Sequence, residues 1–265
     1  MAISLAVKTD LIEPSRSIAR ALKIPRLYSP DPVRIDEALG DEVDAMLLRW
    51  IEEVGLFQGE IGEFSKFRFG RYAMLCHPDT NDKDRLLLAA KAFGAFFGLD
   101  DYYCDEKRYG AMPVTAVEKL ARAVAEVEPT YLVGKYAHDM ESALRSDPVL
   151  VAIRSYMQHL QRYATPQQIA RIRYEVLYLF LTMAGEATWR INRSNPPAWE
   201  YLAQRQGNSF LINIGVIDIL GGYEIPAELF CSPAVRKATV LASNVTVYAN
   251  DLYSAAKESI AGLVA

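Results

Sequence analysis

From residue 36 onward, apolar positions recur every three to four residues, the spacing of one face of an α-helix. In "DEALGDEVDAMLLRWIEEVG", Val43, Met46, Leu47, Trp50 and Ile51 share such a face. A second, longer helix is expected across "DKDRLLLAAKAFGAFFGLDDYYCDE". Helix starts carry capping chemistry. In "ATPQQIARIRYEVLYLFL", Thr165 stands at the N-cap, Pro166 at the first helical position and Gln168 where a capping box requires it. Ser232 and Pro233 repeat that signature ahead of "AVRKATVLASNVTVYANDLYSAAKE". Strand signals are weak, with few β-branched alternations and no Asn-Gly or Asp-Gly hairpin turn. Pro14, Pro25, Pro30 and Pro32 break up the first stretch, so residues 1–35 read as an irregular arm. No internal repeat or low-complexity tract is evident. The expected architecture is all-α, a single domain over residues 36–265 whose long helices pack around each other.

Two polar stripes interrupt this pattern. Phe93, Phe97 and Asp101 are spaced by four, Asp105 continues the series, and Asp100 flanks it. Carboxylates at a helix C-terminal end oppose the helix dipole, and a cation would relieve them. On this segment alone, a solvated acidic helix end explains the pattern as well as a metal site does. The second stripe is Asn250, Ser254 and Glu258, at i, i+4 and i+8 on one helix face. An amide oxygen, a hydroxyl and a carboxylate in that order are three oxygen ligands for a hard cation. Thr246 continues the stripe, with Leu241, Val245 and Leu252 offering apolar surface beside it. A polar stripe is ordinarily a solvent face, but this ordered set together with an aspartate pair on another helix favours a metal.

"DDYYCDE" resembles the aspartate-rich motif of class I terpene synthases, and "NDLYSAAKE" resembles their second metal motif, about 150 residues later. Upstream, "YLAQRQGNS" is similar to the segment that holds the diphosphate-sensing arginine and the helix break. The resemblance implies an α-helical bundle of that type. It also implies Asp100, Asp101, Asp105, Asn250, Ser254 and Glu258 as metal residues, with Mg²⁺ as cofactor and three ions expected. Arg205 and Lys257 would then meet the diphosphate, with Asn208 as linker and Ser209 as effector at the helix break. Phe93, Phe97 and Trp189 are the candidates for an aromatic cavity wall, each of which also reads as ordinary helix-packing core. Members of the family continue for several helices beyond the second motif and carry a late Arg-Tyr pair. The resemblance therefore implies a bundle lacking its last C-terminal helices, with lid closure and turnover by this length of chain open.

A narrower resemblance runs from about Leu27 to the end. "LYSPDPVR", "WIEEVGLFQGEIGEF" and "FGRYAMLCHPDTNDKDRLLLAAK" are similar to bacterial 2-methylisoborneol and 2-methylenebornane synthases. It implies cyclisation of 2-methylgeranyl diphosphate, supplied by a partner methyltransferase. Geranyl or farnesyl diphosphate is the alternative substrate, and a helical domain that only binds Mg²⁺ and diphosphate is the alternative to an enzyme. Dimerisation is common in such bundles, which makes a homodimer one candidate assembly.

Composition narrows the field further. The net charge of −4 and the absence of any Lys or Arg block leave no electrostatic footprint for nucleic acid. Cys76, Cys104 and Cys231 are scattered, without the spacing of a disulfide framework or a zinc knuckle. The apolar windows are too short or too polar for a membrane span. No basic segment precedes a long apolar one at the start, so a cytoplasmic, reducing location is expected. A chain-elongating prenyl transferase would carry a second aspartate-rich motif in place of the Asn-Ser-Glu set. His138-Asp139 suggests an HD-type phosphohydrolase without its other ligands. No Glu lies three before any of the three histidines, as a di-iron bundle requires.

Overall fold

The structure, a computed structural model, describes residues 27, 30–105, 109–209 and 211–260, without the side chains of 255–260. Among these residues all regular structure is helical. Helix α1 spans Glu37–Val54, α2 Ile61–Phe64, α3 Phe69–Cys76 and α4 Lys83–Leu99. Helix α4 runs directly into a π-helical turn, Asp100–Asp105. Next come α5 (Pro113–Val127), α6 (Lys135–Arg145), α7 (Pro148–Gln161) and the 27-residue α8 (Pro166–Asn192). Four short helices follow: α9 (Ala198–Arg205), α10 (Leu211–Gly215), α11 (Ile217–Gly221) and α12 (Ala227–Phe230). The 28-residue α13 (Pro233–Ile260) is last. Of the expected arm, residues 1–26, 28 and 29 lie outside the described residues, and 30–35 form no helix.

Helix boundaries follow the local chemistry. Asp36 caps α1 by accepting from the Leu39 N–H, and Gly55, at φ 80°, closes it in the left-handed region. The Thr165–Gln168 capping box is fully formed, with both reciprocal hydrogen bonds present. At the start of α13, Ser232 Oγ accepts from the Val235 N–H at 3.4 Å.

Helix α4 is the axis of the bundle. It packs against α1, α3 and α7, and from Leu86 to Leu99 every residue but Lys91 and Phe96 is buried. A helix apolar on all sides is stable only when surrounded in this way. Val43, Leu47, Trp50 and Ile51 of α1 turn inward as their spacing predicts, with Met46 half-buried. Trp50 Nε1 donates to Ser155 Oγ on α7 at 2.8 Å, tying the two outer helices together. Each fully buried leucine or isoleucine here, such as Leu47, Ile51, Leu86 and Leu150, contributes about 1.5–3 kcal/mol.

Helix α8 packs along α5 and buries Ile172, Val176, Leu179, Phe180 and Met183. Helix α13 contacts α10 and α12, and its inward side is mostly polar, burying Thr239, Ser243, Asn244 and Ser254 beside Val247. Leu241, Val245 and Leu252, expected to flank the metal stripe, are instead exposed on the opposite side. No helix among the described residues is long and apolar enough to cross a membrane.

Candidate active site

A cleft opens beside the C-terminal half of α4. Phe93, Phe96, Phe97 and Asp100 line one side, and Leu179 and Met183 of α8 another. Asn208 and Ser209, with Ile212 and Asn213 of α10, complete the wall around a cavity of about 30 Å³. The aromatic wall is braced from behind. Phe69 stacks on Phe93 with centroids 5.3 Å apart and leans on Phe97 at 4.9 Å, while Tyr72 meets Phe93 edge-on at 5.1 Å. Such contacts fix the ring planes that face the cleft. Trp189 is half-buried and does not line it.

Asp100 and Asp101 are both buried, at 6% and 5% exposure. Asp100 reaches the cleft because it lies one α-helical turn beyond Phe96 and Phe97. The straight i+4 series through Asp101 and Asp105 is broken by the π turn that begins at Asp100. Burial, and then the charge of Asp105, push the Asp100 carboxyl up to about 8. An acid raised in this way by burial, beside a second acid, is a place where a cation would be strongly favoured.

From here a hydrogen-bonded relay crosses to the second stripe. Arg190 of α8 donates to Asp105 Oδ1 at 2.6 Å, to the Cys104 carbonyl at 2.9 Å and to Glu186 Oε1 at 2.5 Å. Glu186 is half-buried, and although desolvation raises its carboxyl, Arg190, Arg205 and the hydrogen bond from Asn208 hold it below the usual range. Its other oxygen accepts from Asn208 Nδ2 at 3.0 Å, and the Asn208 carbonyl accepts from Arg205 Nη1 at 2.7 Å. Arg205, 6% exposed, donates to Asp251 of α13 through Nη2 at 2.6 Å and Nε at 3.1 Å. A longer 3.5 Å contact reaches Asn250 Oδ1, and Tyr201 donates its hydroxyl to Asp251 at 3.0 Å.

The helix break is sterically specified. A Cβ on Gly207 would sit 2.4 Å from Thr182 Cγ2 on α8, so only glycine lets the chain pass. Ser209 donates to the Gln206 carbonyl. Ser254 is buried, with a 3.5 Å contact to the Asp251 carbonyl. Lys257 and Glu258 continue α13, but their side chains lie outside the described residues. Among the described residues, no three His, Cys, Asp or Glu side chains converge into a cage for an ion. A hard cation held here would draw on one or two carboxylates and complete its shell with phosphate oxygens and water.

Residues 91–265 match the family described as "Terpene synthase family 2, C-terminal metal binding". This chain belongs to that family. Its matched segment begins two residues before Phe93 and includes both polar stripes. The chain is 38% identical over 242 residues to a 2-methylisoborneol synthase of Streptomyces ambofaciens, covering 89% of itself and 53% of that protein. A Streptomyces griseus 2-methylisoborneol synthase is also 38% identical, over 237 residues, with 89% and 54% covered. The chain thus spans about half the length of these curated relatives. The crystal structure of the Streptomyces coelicolor 2-methylisoborneol synthase with Mg²⁺ and 2-fluoroneryl diphosphate superposes with a TM-score of 0.83 at 34% identity, covering 89% of this chain and 72% of that one.

The site also contains residues that the pattern along the chain does not single out. Phe96, Leu179 and Met183 line the cleft, Glu186 and Arg190 form the middle of the relay, and Asp251 holds Arg205. The signal for Asp251 was present, since it is the second letter of the Asn-Asp motif. Glu186 and Arg190 carry an i, i+4 ion-pair spacing that is common on any solvent face.

Proposed function

We propose that the chain acts as a Mg²⁺-dependent terpene cyclase, ionising an allylic prenyl diphosphate and cyclising the resulting carbocation. The observation that carries this reading is the shape of the cleft, apolar and aromatic along its length, with Asp100 and the Asn208–Ser209 break on its wall. Asp100 and Asp101 on one side, and Asn250, Ser254 and Glu258 on the other, are the groups that would hold Mg²⁺, three ions by family pattern. When bound, the metal neutralises the charge growing on the departing diphosphate. Asp105, paired with Arg190, acts through that arginine.

The chain's own residues do the rest. Arg205 offers a planar fork of donors suited to phosphate, and meeting a diphosphate requires it to exchange Asp251 for the new anion. Lys257 adds a point charge on the same helix. Phe93 and Phe97 present π faces to the cation, each worth about 0.5–2 kcal/mol, and their apolar neighbours keep water from the reacting carbons. The preferred substrate is 2-methylgeranyl diphosphate, made by a partner methyltransferase in the cytoplasm, and the product a C11 bicycle of the 2-methylisoborneol or 2-methylenebornane type. The 38% identity to the Streptomyces enzymes supports that choice over geranyl or farnesyl diphosphate.

Incubation of the full chain with each of these three diphosphates and Mg²⁺, with products identified by gas chromatography and mass spectrometry, tests the reading. The highest kcat/KM is expected for 2-methylgeranyl diphosphate, and Asp100→Asn with Asp101→Asn should abolish turnover while leaving the helical circular dichroism intact. Binding of Mg²⁺ and diphosphate without any volatile product would show a domain that holds substrate without converting it.

A further inference from the structure

One polar atom on the cleft wall has no partner. Asn213 of α10 lines the cleft, and its Oδ1 is buried without a hydrogen bond among the described residues. Neighbouring polar groups are committed: Asn208 Nδ2 donates to Glu186 and its carbonyl accepts from Arg205, while Ser209 donates to the Gln206 carbonyl. The rest of the cleft wall is mostly apolar, with Phe93, Phe96, Phe97, Leu179, Met183 and Ile212, and it carries Asp100 as its charged group. A buried amide oxygen left unpaired among such groups is costly, and native structures retain one where it has a use.

Resting on the cyclase reading above, we propose that Asn213 determines how the final carbocation is quenched, by holding one water molecule in the apolar cleft. Oδ1 accepts a hydrogen bond from that water, which leaves an oxygen lone pair free for the cation. The lone pair forms the new C–O bond. The O–H proton then passes to the diphosphate released by the same ionisation, giving an alcohol, and no bond within Asn213 changes. Without the held water, the cation instead loses a proton from carbon to the diphosphate and gives a hydrocarbon. The cavity of about 30 Å³ has room, since a water needs about 10–15 Å³ of such space. Asn213 is in this sense a specificity-determining residue and has no part in ionisation.

The test compares wild type with Asn213→Leu, which keeps side-chain size, and Asn213→Gln, which keeps the amide. With 2-methylgeranyl diphosphate in ¹⁸O-water, wild type should form labelled alcohol. Asn213→Leu should lower the alcohol-to-hydrocarbon ratio by about fivefold or more, with total turnover within about threefold, and Asn213→Gln should recover part of the ratio. An unchanged ratio, or a wild type that forms only hydrocarbon, overturns the assignment. A second readout does not depend on turnover: with Mg²⁺ and inorganic diphosphate present, affinities for borneol and camphene are measured by calorimetry. The preference for the alcohol should fall about fivefold in Asn213→Leu, and an unchanged preference overturns the assignment. No product from wild type with any diphosphate would overturn the cyclase reading itself and leave the calorimetry to decide Asn213.

Discussion

Asp251→Asn separates two roles that the second motif could give this residue. In the structure the Asp251 carboxylate is the main partner of a nearly buried guanidinium, receiving Arg205 Nη2 at 2.6 Å and Nε at 3.1 and 3.2 Å. With the charge removed, Arg205 keeps the Asn208 carbonyl at 2.7 Å and the distant Asn250 amide oxygen. Breaking a buried ion pair from one side costs about 3–5 kcal/mol. The Asp251 side chain is 21% exposed and asparagine retains one acceptor, so about 2–3 kcal/mol is expected here. For a chain of this size each kcal/mol moves Tm by about 2–4 °C, giving a fall of about 4–12 °C by differential scanning calorimetry. Affinity for inorganic diphosphate with Mg²⁺, measured by titration calorimetry, should hold or tighten, because Arg205 no longer has a competing carboxylate. An unchanged Tm would refute the buried-pair reasoning. A tenfold loss of diphosphate affinity would place Asp251 among the metal ligands instead of behind Arg205.

Two further outcomes follow from titratable groups held in the bundle. His77 is 2% exposed, and burial lowers its pKa to about 4. A histidine that binds protons less readily folded than unfolded loses stability as pH falls from about 6.5 toward 4, up to about 3 kcal/mol in all. His77→Phe should flatten the Tm profile over that window, and a profile as steep as wild type would contradict this. Arg190→Met leaves Asp105 and Glu186 without their shared cation, at a cost of about 3 kcal/mol. Added Mg²⁺ should raise the Tm of this variant more than that of wild type, and an equal rise would show that these acids lie outside the reach of the ion.

Local chemistry made most of the bundle legible. The Thr165–Gln168 box and the Ser232 cap form as their side chains require, because capping is decided within four residues. The apolar face of α1 turns inward for the same kind of reason, since a 3.6-residue period needs no knowledge of the partner. The site was legible as motifs and not as contacts. Asp105 was expected to continue a stripe that the π turn dissolves, and no single-residue preference marks where an α-helix will widen. Trp189 was a candidate for the cavity wall, but the face of α8 that meets the site runs through Leu179, Met183, Glu186 and Arg190, one residue out of phase. Arg205 was expected to meet the diphosphate from the resemblance of its segment. Its partnership with Asp251 joins two helices more than forty residues apart, and pairings over that range are written in the packing.

The widened turn at Asp100–Asp105 gives the molecule two independent dials. Up to Leu99 the wall of the hollow is set by the phase of an ordinary helix, so exchanging one ring for another reshapes the space it encloses. Past that point the phase is reset, and the anchoring of Asp105 on Arg190 does not inherit such changes. A lineage can therefore reshape the aromatic wall while the acidic end keeps its anchor.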